Sequence, residues 1–301
     1  MRAENERSEG APVRDAQRSD WETAPPAPRR EGSRARWSLA DIPFDHIDRV
    51  ALGDDRRLME LVTAASFIEI SSDTYTQNLA EYYRDDTEVV AWLEGGWQRD
   101  ELQHGAALRR YVETAWPDFD WDRAYRNFFA EYEQYCTVAH LAPGRALEMA
   151  ARCVVETGTA SFYRMLSDAA PEPVLRLLAA HISADEVNHY KHFFRYFQRY
   201  AATEQPGRTA VLRTLLKRMT EVDSEDASCA FKHVRLVTDP AAPFRKGDYD
   251  AFRHDIRVMA QRYYRYDMAV KMLVKPLALG ATASRIVVPS ATALTRLFLF
   301  H

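Results

Sequence analysis

Glu101 and His104 stand three residues apart in GWQRDELQHGAALRRY, and Glu186 and His189 repeat the arrangement in ADEVNHYKHF. On a helix a three-residue step places one side chain above the other on a single face, so each pair sets a carboxylate over an imidazole. One such pair is weak evidence of anything. Here each has a companion carboxylate at matching depth on a neighbouring helix. The first predicted hairpin turns near Asp85, with Glu69 sixteen residues before that point and Glu101 sixteen after. At 1.5 Å of rise per residue both stand about 24 Å above the turn. The second turns near Pro171, with Glu156 fifteen residues before and Glu186 fifteen after.

The surroundings of the companion carboxylates are apolar: Glu69 interrupts AASFIEI and Glu156 interrupts AARCVVETG. An ionised carboxylate in such a place is costly unless it is paired or holds a metal, and four together repel. Two cations, each bound by carboxylate oxygens and one imidazole, remove that conflict. One Glu from each of two helices plus Glu-x-x-His from each of two others is the di-iron or di-manganese carboxylate arrangement. Oxygen and nitrogen donors without thiolate suit iron or manganese, and redox use favours iron. The expected ligands are therefore Glu69, Glu101, His104, Glu156, Glu186 and His189, holding two Fe ions or a Mn/Fe pair.

The same helices carry accessory candidates. Asp100 and Asp185 directly precede the paired glutamates, and each is placed to hydrogen-bond a ligating imidazole on a neighbouring helix, the alternative being a solvated carboxylate. Thr159, three residues after Glu156, is the candidate catalytic side chain, its hydroxyl aimed either at the metal pair or at its own helix backbone. Cys153 reads as a small core residue. His192, one turn beyond His189, reads as a surface or supporting residue before it reads as a third nitrogen ligand. The Tyr and Phe residues of the second and fourth helices read as core.

These residues need four long helices to carry them. Apolar residues recur at three- and four-residue steps from about residue 54, and Gly and Pro are scarce inside the segments. The pattern predicts helices over 54–83, 87–113, 145–167 and 172–200, with a further helical piece in the long connection, RAYRNFFAEYEQY. Two helical hairpins joined by one long connection make an all-α, ferritin-like four-helix bundle, placed at 39–205. Residues 1–38, rich in Arg, Glu, Pro, Ala and Ser, read as a disordered leader. Residues 206–301 read as additional helices and an apolar tail, PLALGATASRIVVPSATALTRLFLFH, too interrupted to span a bilayer. That tail is expected to dock on the bundle or on a homodimer surface, with peripheral membrane contact as the lesser alternative.

Composition narrows the function classes. A net charge of −4 with 28% charged residues gives no reason to expect nucleic acid as a partner. The three cysteines (Cys136, Cys153 and Cys229) show no CxxC or zinc spacing, and their odd number argues against a disulfide scaffold. With no signal-peptide pattern, and a twin arginine at Arg29–Arg30 that no apolar segment follows, the expected location is cytoplasmic.

Over roughly residues 60 to 200 the chain resembles the ferritin-like di-iron carboxylate superfamily, and within it the soluble acyl-carrier-protein desaturases. WQRDELQHG (Trp97 to Gly105) fits the desaturase pattern Trp-x-x-acid-Glu-x-x-His-Gly. SADEVNH (Ser183 to His189) is similar to that family's second ligand motif, and ETGT (Glu156 to Thr159) resembles its Glu-x-x-Thr. The resemblance implies the same six residues as iron ligands, Thr159 beside the oxygen site, and oxygen activation at the reduced di-iron centre. It also implies electrons from a ferredoxin-type partner and a small-molecule or carrier-bound acyl substrate. The context of Glu69 matches poorly. Arylamine N-oxygenases carry a further histidine one turn before the last Glu-x-x-His, where this chain has Ile182; His181 sits about 140° round the helix from Glu186.

The leading expectation is an oxygen-dependent di-iron oxidoreductase, a desaturase or hydroxylase acting on an apolar or acyl substrate. The alternative is an iron-handling or peroxide-scavenging relative of ferritin or rubrerythrin. A rubrerythrin would bring a CxxC module that is absent here, and a hundred extra C-terminal residues fit a ferritin cage poorly. A bundle that has lost its metal is the third reading, opposed by the cost of the unpaired glutamates.

Overall fold

Aspartates and glutamates set where the helices begin. Asp48, Asp55, Asp86 and Asp120 each precede a helix and accept a hydrogen bond from one of its first amides, at 3.0, 3.0, 3.3 and 3.0 Å. The computed structural model describes residues 36–134, 141–221 and 226–300. In chain order the helices are α1 (Arg49–Leu52), α2 (Arg56–Ile70), α3 (Ser72–Tyr82) and α4 (Thr87–Trp92). A π-helical turn, Leu93–Trp97, then leads into α5 (Gln98–Ala115). There follow α6 (Trp121–Tyr132), α7 (Arg145–Ala169), α8 (Pro173–Glu204) and α9 (Arg208–Glu221). The last are α10 (Asp226–Thr238), α11 (Lys246–Tyr263), α12 (Tyr266–Val274) and α13 (Ala281–Phe300). No strand occurs among the described residues. The fold is all-α.

The predicted hairpins are recognisable, with two departures. The first predicted helix is interrupted at Ser71, whose hydroxyl donates to its own helix at Phe67 O, 2.9 Å away. The second contains the π turn, where Gly95 and Gly96 lie. Wide turns of this kind are frequent at functional sites. Here the turn ends four residues before Glu101, and the Ser71 break comes two residues after Glu69.

The second hairpin is closed at both ends by buried or shared carboxylates. Glu172 is fully buried and accepts from Val174 N and Leu175 N at the start of α8 (3.0 and 2.8 Å), and from Tyr111 Oη on α5 at 3.0 Å. Pro173 in the first turn of α8 removes a donor that would have had no partner. At the far end Glu204, the last residue of α8, accepts from Arg145 N and Ala146 N at 3.1 and 3.0 Å. It thereby caps the first turn of α7, which the left-handed Gly144 (φ 103°) leads into.

α2 packs against α5, α7 against α8, and α5 against α8, so the two hairpins face each other. The later helices lie around them: α9, α11 and α12 against α7, and α10 against α2 and α6. From Trp37 onward the described residues form one compact unit. Trp37, assigned by sequence to the leader, instead belongs to the core: it is buried, because its indole has both a stacking surface and a hydrogen-bond acceptor inside the fold. The leader up to residue 35 lies outside the described residues, as does Cys136.

Hydrophobic burial is divided between two clusters. One gathers Phe67, Ala107, Leu108, Tyr163, Leu178 and Ile182 with residues further toward the second hairpin's turn. The other gathers Leu79, Leu93, Trp97, Val154, Tyr190 and Phe193 toward the first hairpin's turn. The level between them holds Glu69, Glu101, His104, Glu156, Glu186 and His189.

Gly105 sits at a close approach of α5 to α2. A Cβ there would lie 2.6 Å from Ile70 N and 2.7 Å from Ile70 Cγ1. Gly158, mid-helix in α7, has nothing within 4 Å of such an atom. Gly105→Ala should cost about 1–3 kcal/mol through overpacking, whereas Gly158→Ala should gain about 0.4–1 kcal/mol by restricting the unfolded chain. Urea unfolding of the two variants checks this opposition of sign.

Candidate metal centre

The six residues come from four helices: Glu69 from α2, Glu101 and His104 from α5, Glu156 from α7, Glu186 and His189 from α8. All six are at least nine-tenths buried. They form two overlapping groups whose ligand atoms lie within 4.8 Å of one another: Glu69, Glu101, His104 and Glu186, and Glu101, Glu156, Glu186 and His189. Glu101 and Glu186 belong to both groups, so the two would be shared between neighbouring cations. His104 Nδ1 lies 3.1 Å from Glu186 Oε1 and 3.7 Å from Glu69 Oε2. His189 Nδ1 lies 3.0 Å from Glu101 Oε1 and 3.5 Å from Glu156 Oε2.

Close as they are, these atoms do not satisfy one another. His104 Nδ1, His189 Nδ1, Glu156 Oε2 and Glu186 Oε1 are all buried without a well-aligned hydrogen bond among the described residues, although the two imidazole nitrogens face carboxylate oxygens at 3.1 and 3.0 Å. A cation is what such a set of lone pairs fits, and the donor chemistry, carboxylate plus imidazole, fits iron or manganese.

The other nitrogen of each imidazole is held from the opposite hairpin. His104 Nε2 lies 3.2 Å from Asp185 Oδ2 on α8, and His189 Nε2 lies 3.4 Å from Asp100 Oδ2 on α5. Each aspartate that precedes a paired glutamate thus braces the histidine of the other pair. With a metal bound, a proton kept on Nε2 would leave Nδ1 free to face the cluster, the tautomer a metal requires. Trp37 extends the brace: its Nε1 donates to Asp185 Oδ2 at 2.7 Å, and its ring lies parallel to His104 with centroids 6.1 Å apart.

The charge state of the metal-free layer shows the same crowding. Burial, then repulsion from Glu186 and Glu69, pushes Glu101 well above the ordinary carboxylate range. Burial likewise takes Glu156 up to about 8. Glu186 goes the other way: burial opposes its charge, but contacts to His104 and His189 outweigh it and hold it down. Both imidazoles are held well above their usual value; burial works against the cations, and the facing carboxylates prevail.

Thr159 Oγ1 donates to Glu186 Oε2 at 2.8 Å, closer than its own backbone carbonyls at Val155 and Glu156, both 3.3 Å away. Its hydroxyl therefore orients a shared carboxylate. Tyr163, which the sequence reading passed over, donates its hydroxyl to Glu69 Oε1. Burial and the nearby Glu69 raise that phenol well above its ordinary value, so it stays a donor. The available signal was position: Tyr163 is seven residues, two turns, beyond Glu156 and so on the same face of α7.

Other candidates fall elsewhere. Cys153 is buried, and burial raises its thiol well above the usual range, as befits an inert core residue. His192 is not in the cluster; it stacks on Trp92 with centroids 4.9 Å apart. Basic residues that an acidic carrier protein could use for docking are engaged at home: Arg109 with Glu113 and Asp122, Arg195 with Glu88, Lys191 with Asn188, and Arg110 over the Phe44 ring. A second ligand-type group, Glu131, Cys229 and His233, joins α6 to α10. Its carboxylate already accepts from Lys232 Nζ at 2.7 Å and lies 2.9 Å from His233 Nε2, a hydrogen-bonded node that its own ammonium neutralises.

No protein-family model matches this chain, and no curated protein matches it. The geometry alone carries the assignment of a buried carboxylate–histidine centre able to hold metal.

Asp185→Ala or Asp100→Ala should weaken metal affinity by about 10–100-fold while leaving the six inner residues in place; competition with a chromophoric chelator measures it. The same titration repeated at lower pH should show weaker binding below about pH 8, because cations must displace the protons held on the raised carboxyls and imidazoles.

Proposed function

We propose that this protein is an oxygen-dependent di-iron oxidoreductase of the desaturase or hydroxylase type, built on a ferritin-like four-helix bundle and acting on an apolar or acyl substrate. The observation that carries the reading is the convergence of four buried donor atoms without a well-aligned hydrogen bond within two four-residue groups that share Glu101 and Glu186. Two irons held there would supply the redox chemistry for oxygen activation, and the electrons would come from a ferredoxin-type donor.

The chain's own residues have definable tasks in this reading. Glu69 and Glu156 each serve one side of the centre, Glu101 and Glu186 span it, and the two histidines present Nδ1 inward. Asp185 and Asp100 hold the imidazole rings. Tyr163 holds Glu69, and Thr159 holds Glu186, each fixing one carboxylate oxygen and leaving the other toward the centre. The hydrophobic clusters above and below keep the layer buried, which strengthens its electrostatics.

The protein reconstituted with ferrous iron should bind about two irons per chain, and the reduced form should take up oxygen. Glu101→Ala and Glu186→Ala, which remove a residue common to both groups, should each abolish binding of the pair. Near-full occupancy in both variants would overturn the ligand assignment. Rapid peroxide consumption without oxygen uptake would instead favour the iron-handling or peroxide-scavenging alternative.

A further inference from the structure

Positive charge is concentrated at one end of this acidic chain. From residue 206 onward there are sixteen Lys or Arg against nine Asp or Glu, although the whole chain has net charge −4. From Arg257 to the last residue there are seven basic residues and a single acidic one, Asp267, which pairs with Lys271. α13 holds no acidic residue at all; its charges are Arg285 and Arg296.

The same helix exposes aliphatic side chains. Ile286, Leu294 and Leu297 are 65, 54 and 57% exposed. They fall within a sector of about 80°, since eight residues advance the helix by about 80° past whole turns and eleven by about 20°. The hydroxyls of Thr292 and Thr295 donate to their own backbone, to Val288 O and Ala291 O, both at 2.8 Å. They place no demand on a partner. Between α12 and α13 runs a groove of about 670 Å³, with Val288, Pro289 and Leu297 on its walls and Asp267, Lys271 and Arg296 as its charges. A second aliphatic stripe, Leu212, Leu216 and Met219, is exposed on α9 beside Arg208 and Arg213. Arg208 Nη2 donates to Ala278 O at 3.3 Å, which ties the start of α9 to the segment leading into α13.

We propose that α13, with the adjoining start of α9, docks this protein onto the surface of an anionic lipid bilayer. On α13, exposed aliphatics with flanking arginines and no carboxylate match a surface that is apolar beneath and negative above. Pairing of α13 with its counterpart in a second copy would set arginine against arginine with no acidic residue in either helix to compensate. The contact is peripheral, because among the described residues no helix is long and apolar enough to cross a membrane.

The test is co-sedimentation of the full-length protein with phosphatidylglycerol–phosphatidylcholine vesicles and with pure phosphatidylcholine vesicles, at low and high salt. The anionic vesicles should retain the protein, at least about tenfold more strongly than the neutral ones, and added salt should release it. Leu294→Asp/Leu297→Asp and Arg285→Gln/Arg296→Gln should each weaken retention about tenfold or more, with the protein still folded by its melting transition, although Arg296 also lies over the Tyr266 ring. If the aspartate variant unfolds, Leu294→Gln/Leu297→Gln replaces it. Equal or absent retention on both vesicles overturns the proposal. So does a dimer that the leucine variant splits in the absence of lipid, or retention of nucleic acid in place of vesicles. Glu101→Ala protein should bind vesicles as well as the unaltered chain, so this result stands apart from the fate of the metal assignment.

Discussion

Everything in the middle of this molecule answers to one constraint: four carboxylates and two imidazoles occupy a single buried level. Hydrophobic side chains fill the space on either side, and the polar layer cuts the core in two. An apolar layer of the same volume would stabilise the fold at less risk. The fold instead supports a group of atoms that fully satisfy one another only if positive charge is brought among them. Its rigidity there is a matter of electrostatic accounting as much as of packing.

The means of support is reciprocal. Each Glu-x-x-His helix supplies the aspartate that steadies the histidine of the other, so α5 and α8 are locked at one height by two parallel contacts. Tyr163 and Thr159, both from α7, steady Glu69 on α2 and Glu186 on α8. The groups nearest the centre are thus held by neighbours on other helices, and a slip of one helix along another would disturb several at once. Gly105, directly after His104, lets α5 come close enough to α2 for Glu69 to reach the layer.

Much of this was legible in the chain, for physical reasons that differ from residue to residue. The Glu-x-x-His spacing and the equal depth of Glu69 and Glu156 follow from helix rise and turn, which are the same in every protein. The crossed aspartates could be anticipated because Asp100 and Asp185 adjoin the paired glutamates. Trp37 could not be, since it lies at the edge of a stretch whose composition argues against order, and its burial rests on contacts with Asp185 and His104 far away in sequence. Tyr163 was hidden among other core aromatics. The Ser71 break was invisible because a serine in a long helix is unremarkable by periodicity, and its effect depends on where its hydroxyl turns.

The π turn has a consequence for angle. Val89, Leu93, Trp97 and Glu101 are all buried, and they follow one another at steps of four. In an unbroken α-helix each such step overshoots a full turn by about 40°, so three steps would carry the last side chain roughly a third of the way round the axis. The widened turn at Leu93–Trp97 takes up that excess. It acts as a phase correction, keeping the row aligned as it passes from the aromatic contacts of Trp97 with Phe193 to the carboxylate of Glu101. Beyond Glu101 the buried positions return to steps of three and four, at His104, Leu108 and Val112. The two-glycine turn therefore decides the bearing on which α5 enters the polar layer.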